Sequence, residues 1–250
     1  MAELLSLDRL RAGYGEAVVL AEISLRLDEG QSLALLGRNG MGKTTLINSI
    51  VGVTRYRSGA IRLSGRDITK LPPEQRARAG VGWVPQERNI FRSLTVHENL
   101  TAVALPGPWT PQKVYAMFPR LGERKGNLGN QLSGGEQQML AVGRALVLNP
   151  KIVLLDEPLE GLAPIIVEEL LSALNRIIRD EGMSAILVEQ NPQKILGVTD
   201  RAAILERGAI VHEAASATLR ADRAVLETYL GVTDQGPRRG GSQIERIDHG

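Results

Sequence analysis

Three short stretches of this chain carry residue types at spacings that suit phosphate chemistry. The first is Gly37-Arg38-Asn39-Gly40-Met41-Gly42-Lys43-Thr44-Thr45, which follows an apolar run and precedes Leu46-Ile47-Asn48-Ser49-Ile50. It satisfies G-x-x-x-x-G-K-[ST] in a strand-to-helix setting. Glycines are needed there because the loop wraps an anion with its backbone N–H groups, and a Cβ would block that approach. The helix that follows points its positive end at the same anion. Lys43 is then placed for the β- and γ-phosphates of a nucleotide, and the Thr44 hydroxyl for a Mg²⁺ ion. The second stretch is Ile152-Val153-Leu154-Leu155-Asp156-Glu157-Pro158, a buried strand that delivers two carboxylates at its C-terminal end. Asp156 suits a metal contact, direct or through water, and Glu157 suits polarising a water that attacks the γ-phosphate. The third is Leu132-Ser133-Gly134-Gly135-Glu136-Gln137-Gln138. A Ser-Gly-Gly turn opening a helix is an anion site by the dipole argument, and Ser133 with Glu136 three residues on is equally a capping box.

Positioning these groups requires an α/β fold. Short unbroken apolar runs at 33–36, 152–155 and 185–188 predict buried parallel strands, and helical patterns alternate with them. Runs at 4–10 and 23–27 alternate polar and apolar residues, which predicts half-exposed antiparallel strands ahead of the parallel core. From Pro164, apolar residues at Val167, Leu170, Leu171, Leu174, Ile177 and Ile178 predict a helix with one buried face. Between 94 and 131 the strand signals vanish and Pro106, Pro108, Pro111 and Pro119 punctuate short helical stretches, as in a helical insert. Residues 233–250 are Gly-rich and polar, the composition of a flexible tail.

Composition narrows the function. A length of 250 residues with 43% hydrophobic content supports one domain with a subdomain. The net charge of +2 and 3% aromatic content argue against a nucleic-acid surface. Cys 0 removes thiolate zinc sites and cysteine nucleophiles. His97 and His212 have no partners at ligand spacing, so no transition-metal site is expected. No apolar run approaches the roughly 18 residues that span a bilayer, and Asp8, Arg9 and Arg11 interrupt the N-terminal leucines, which reads as a cytoplasmic chain.

The order of phosphate loop, Val84-Pro85-Gln86, LSGGEQQ and LLDEP resembles the nucleotide-binding subunit of an ATP-binding cassette (ABC) transporter, over residues 4–230. The finer wording GRNGMGKTT, FPRL, LSGGEQQMLAVGRAL, EGLAP and LVEQN is similar to the LivF-type ATPases of branched-chain amino acid importers, whose near relatives serve amides and urea. The resemblance implies a P-loop NTPase core with a mainly parallel sheet, an N-terminal antiparallel β layer and a helical signature subdomain at about 87–150, the whole ATPase domain covering 1–232. It implies ATP and Mg²⁺ as ligands, with Thr44 and Asp156 at the metal and Gln86 touching the metal or the attacking water and linking the core to the helical insert. Tyr14 would stack on adenine, and Ser133, Gly134, Gly135 and Glu136 would close over ATP held by another subunit's phosphate loop. The implied partners are a second ATPase, itself or a LivG-type sister, two permeases and, indirectly, a solute-binding protein, with the chain peripheral on the inner membrane face. Two positions depart from the wider family: Ala163 stands where many ABC ATPases have aspartate, and Gln190 where they have a switch histidine. Segment 87–100, with Ile90 and Phe91 as an exposed apolar pair, is the expected permease docking surface.

Overall fold

The computed structural model describes residues 2–231, so the expected tail at 233–250 lies outside the described residues. The strands are β1 (Glu3–Tyr14), β2 (Ala17–Asp28), β3 (Ser32–Leu36), β4 (Arg55–Leu63), β5 (Arg66–Asp67), β6 (Val81–Val84), β7 (Ile152–Asp156), β8 (Ser184–Glu189), β9 (Arg201–Glu206) and β10 (Ala209–Ala215). The helices are α1 (Lys43–Val51), α2 (Pro73–Ala79), α3 (Val96–Thr101), α4 (Pro111–Met117), α5 (Pro119–Glu123), α6 (Gly134–Leu146), α7 (Pro164–Arg179), α8 (Pro192–Ile195), α9 (Ser216–Ala221) and α10 (Arg223–Leu230). Proline occupies the first turn of α2, α4, α5, α7 and α8, where its fixed φ suits the helix and its missing N–H costs no bond.

Two sheets form. One is antiparallel, in the order β2-β1-β4-β5; the other runs β10-β9-β3-β8-β7-β6, parallel from β9 to β6 with β10 antiparallel at one edge. Side chains alternate across the second sheet. Leu33, Leu35, Ile152, Leu154, Ile186 and Val188 join a core shared with the antiparallel sheet and α1. Ala34, Leu36, Val153, Leu155, Ala185 and Leu187 join a second core with α6, α7 and the helical region. Both faces are therefore covered, which is why these strands read as unbroken apolar runs.

The alternation expected for β1 holds only in part. Leu4, Leu5, Ser6 and Leu7 are all buried: β1 is flanked by β2 and β4, and an irregularity between Glu3 and Leu5 breaks the alternation so that Leu4, Leu5 and Leu7 join one core. The strand then bulges at Asp8 and Arg9, where Arg9 takes φ 43°. In β2, Ile23, Leu25 and Leu27 alternate inward as expected.

β6 and β7 are parallel neighbours, and the 85–151 segment between them carries α3 to α6. No extended strand interrupts it among the described residues; Thr95 and Leu128 form an isolated bridge.

Candidate functional site

The C-terminal ends of β3, β7 and β8 lie side by side, with Leu36 opposite Glu189 and Asp156 opposite Val188. From these ends the chain delivers the phosphate loop, the Asp156-Glu157 pair and Gln190 to one place. A cavity of about 320 Å³ there is lined by Val19, Asn39, Gly40, Gly42, Lys43, Thr44, Thr45, Gln86, Glu157, Glu160 and Gln190. Gly37, Arg38, Met41 and Asp156 are not in its wall; Asp156, 2% exposed, lies behind it against the Thr44 hydroxyl.

The loop has the conformation its glycines predict. Gly42, the N-cap of α1, sits at φ 105° and offers no side-chain cap, so the first N–H groups of the helix remain directed at the cavity. At Gly37, a Cβ would meet the Leu205 carbonyl oxygen at 2.5 Å. The turn between β9 and β10 braces the loop from outside: Gly208 N donates to Met41 O at 3.0 Å, and Arg207 N to the Met41 sulfur at 3.4 Å.

Lys43 is 5% exposed, and its Nζ donates to Gly37 O at 2.8 Å and Arg38 O at 3.1 Å, with Glu157 Oε1 3.9 Å away. Burial lowers its pKa, against the raising effect of Glu157, Asp156 and Glu189. Thr44 Oγ1 donates to Asp156 Oδ1 at 3.3 Å, so the hydroxyl and carboxylate expected at a metal already face each other. Burial pushes the Asp156 carboxyl up to about 6, opposed by the Thr44 hydrogen bond. An oxygen-only set of one carboxylate, one hydroxyl and one amide fits Mg²⁺, a hard cation that keeps phosphate and water oxygens as its other ligands.

Glu157 leaves β7 in the left-handed region at φ 48°, which costs of order 1 kcal/mol for a residue with a Cβ and turns the carboxylate into the cavity. Gln190 Nε2 donates to both of its oxygens, at 3.1 and 2.9 Å. The turn that follows is capped by Asn191, whose Oδ1 accepts from Gln193 N at 3.0 Å. Gln190 is thus engaged by the carboxylate, and capping falls to its neighbour.

Other expected residues stand elsewhere. Tyr14 is 44% exposed, its hydroxyl accepts from Asn48 Nδ2 at 2.8 Å, and it is not among the residues lining the cavity. Arg38 turns away from the cavity: its Nε donates to Tyr229 O at 3.2 Å, at the C-terminal end of α10. Ser133, Gly134, Gly135 and Glu136 do not line the cavity either. They form the start of α6, where Ser133 Oγ accepts from Glu136 N and Glu136 Oε2 accepts from Ser133 N, a complete capping box. Burial works against the Glu136 charge, but the Ser133 bonds and the Arg124 guanidinium at 2.7 Å hold its carboxyl below the usual range. Ile90, expected to be exposed beside Phe91, is half-buried against the core, because its side chain packs beside Gly129. Phe91 is 42% exposed and carries the Arg144 guanidinium 4.0 Å above its ring.

Two carboxylates beside the site went unread as functional. Glu189, 5% exposed, accepts from Leu159 N at 3.1 Å, and burial pushes its carboxyl up to about 7. Glu160 accepts from Gln86 Nε2 at 2.5 Å. Neither belongs to a spacing rule; the only signal was acidic residues adjoining motif positions.

Comparison with known proteins agrees with this geometry. The ABC transporter family model matches residues 20–160. The chain is 40% identical over 236 residues to the high-affinity branched-chain amino acid transport ATP-binding protein BraG of Pseudomonas aeruginosa, covering 91% of this chain and 100% of that protein. It is 37% identical over 235 residues to the lipopolysaccharide export system ATP-binding protein LptB of Haemophilus influenzae, covering 91% and 97%. An ATP-binding cassette of an ABC transporter, solved in its ADP conformation, superposes with a TM-score of 0.78 at 25% identity, covering 93% of this chain and all of that one. With the family model spanning over half of the chain and two relatives matching almost end to end, the chain belongs to the ABC transporter family, as an ATP-binding cassette that hydrolyses ATP to power transport.

Proposed function

We propose that this cassette powers uptake of branched-chain or related amino acids as one of two ATPase subunits, docked on two permeases at the inner membrane face and supplied by a solute-binding protein. The observation that carries the substrate class is the end-to-end similarity to BraG at 40% identity. Among the described residues no helix is long and apolar enough to cross a membrane, so the pathway itself belongs to partners.

In this reading the phosphates of ATP sit on the uncapped start of α1, with Lys43 moving from the loop carbonyls to the β- and γ-phosphate oxygens. Thr44, Asp156 and Gln86 would hold Mg²⁺, which would supply charge neutralisation on the phosphates. Glu157 polarises the attacking water, and Gln190 fixes the carboxylate by its paired hydrogen bonds. Gln190 holds without titrating, unlike an imidazole. Tyr14 is exposed beside α1, where it can stack on the adenine. Ser133, Gly134, Gly135 and Glu136 serve the nucleotide of the other subunit, so one chain holds two half-sites. Residues 87–150 act as a helical subdomain that moves with Gln86 and docks the permease through 87–100. Behind that segment lies a cavity of about 190 Å³ in which Trp83 Nε1 and Arg144 Nε are buried without partners.

The similarity to LptB supports a second reading, lipopolysaccharide export. Reconstitution with its cognate permeases separates the two. ATP-dependent leucine uptake into proteoliposomes, dependent on a solute-binding protein, is the expected result; transfer of lipopolysaccharide without amino-acid uptake would favour the second.

A further inference from the structure

The turn after β7 is tied down by backbone hydrogen bonds and a buried leucine. After Glu157, the amide of Glu160 donates back to Glu157 O at 3.2 Å. Leu159 buries its side chain in the core while its N–H donates to the buried Glu189 carboxylate. Together these fix Glu160 at the wall of the phosphate cavity, where its Oε2 receives the Gln86 Nε2 hydrogen bond.

The chemistry of that bond is one-sided. A primary amide has an oxygen that accepts and a nitrogen that donates, and the two ends are nearly equal in shape. Left alone, Gln86 could present either end to the cavity. An ionised carboxylate only accepts, so Glu160 selects the orientation with Nε2 towards itself and the Gln86 carbonyl oxygen turned the other way. A hard divalent cation takes oxygen ligands and gains nothing from an NH₂ group.

From this geometry we propose that Glu160 is a positioning residue that orients the Gln86 amide so that its oxygen, and not its nitrogen, is offered to the metal of the bound metal–nucleotide. The inference rests on the reading of Gln86 as a metal contact. It gives Glu160 the part that carboxylates commonly play behind metal-bound side chains, where their loss costs about 10–100-fold in metal affinity or activity.

Mn²⁺ provides a spectroscopic probe that does not depend on turnover. The full chain in complex with ADP is titrated with Mn²⁺ and free metal is followed by EPR, for the wild type, Gln86→Ala, Glu160→Ala and the double variant. ADP affinity in EDTA is measured alongside. Glu160→Ala is expected to weaken Mn²⁺ binding about tenfold, leave metal-free ADP binding unchanged, and add nothing once Gln86 is alanine. A Glu160→Ala loss of equal size in the Gln86→Ala background would mean that Glu160 acts by another route, and would overturn the proposal. So would a loss from Gln86→Ala with none from Glu160→Ala. If Gln86→Ala itself left Mn²⁺ affinity unchanged, the metal role of Gln86 would fall first and the orienting role with it.

Discussion

The chain presents two helix N-termini suited to phosphate, and they are built in opposite ways. At α1 the cap is a glycine in the left-handed region with no side chain to offer, and four acidic residues, Asp156, Glu157, Glu160 and Glu189, gather behind and beside it. At α6 the cap is a serine locked with Glu136, and the helix start already has internal partners. An uncapped terminus leaves its donors for a ligand; a boxed one is complete as it stands. The carboxylates follow the same division, since burial raises Asp156 and Glu189 while hydrogen bonds and Arg124 lower Glu136. The α1 side thus leaves its helix-start donors open to an anion. The α6 start has its own partners already, and in the proposed reading it is the surface offered to the nucleotide of a second subunit.

The sharpest way to probe the α1 side is Glu157→Gln. The amide fills the same space but cannot take a proton, so turnover is expected to fall about 10²- to 10⁴-fold with ATP binding retained, as read by phosphate release and equilibrium binding. Equal losses in binding and turnover would instead make Glu157 a ligand-binding group.

The buried acid gives a second test, through pH. Glu189 holds its proton more tightly folded than unfolded, so its contribution to stability is fully present below about pH 4.5 and is lost as pH rises towards 7. Glu189→Gln keeps an oxygen for the Leu159 N–H and cannot ionise. At pH 8 it should be more stable than the wild type by about 3 kcal/mol, and at pH 4 nearly the same, in urea melts of the nucleotide-free chain. A pH-independent difference would remove the burial argument.

Lys43→Ala deletes the charged donor that the loop places at the cavity, Arg38 being turned to Tyr229, and ATP affinity should weaken by about 1.5–3 kcal/mol, roughly ten- to 150-fold, in a binding titration. Smallest and most diagnostic is Ser133→Ala. Loss of the cap should cost about 1 kcal/mol of stability and reduce turnover, yet leave nucleotide affinity of the isolated chain unchanged, because Ser133 does not line its own chain's cavity. Weakened binding in a dilute single chain would break the contrast between the two helix starts.

Chemistry fixes spacing, and where it did so the sequence was legible. The loop from Gly37 to Thr45, the pair Asp156-Glu157 and the box at Ser133 could be placed because each has few geometric solutions. Strands β3, β7 and β8 stood out because both of their faces are buried. β4 did not, since arginines interleave it at 55, 57 and 62, nor did four-residue β6 or half-exposed β10. Side-chain direction was beyond reach as well. That Arg38 would leave the phosphate loop for the end of α10, or that Glu160 would meet Gln86, depends on turns whose paths are set by distant packing.

The order of the parallel sheet has a consequence for how the protein is made. The antiparallel sheet lies wholly within the first 67 residues and can assemble as soon as it emerges from the ribosome. β3, which ends in the phosphate loop, pairs only with β8 and β9, which begin about 150 residues later. At about 5–20 residues per second, its five buried residues wait roughly 8–30 s for their neighbours. Throughout that interval the nascent chain has the loop without β8, the strand through which the β7 carboxylates are held next to it. Nucleotide can therefore reward folding only near the end of synthesis, and an apolar strand left that long without partners is where chaperone capture would act.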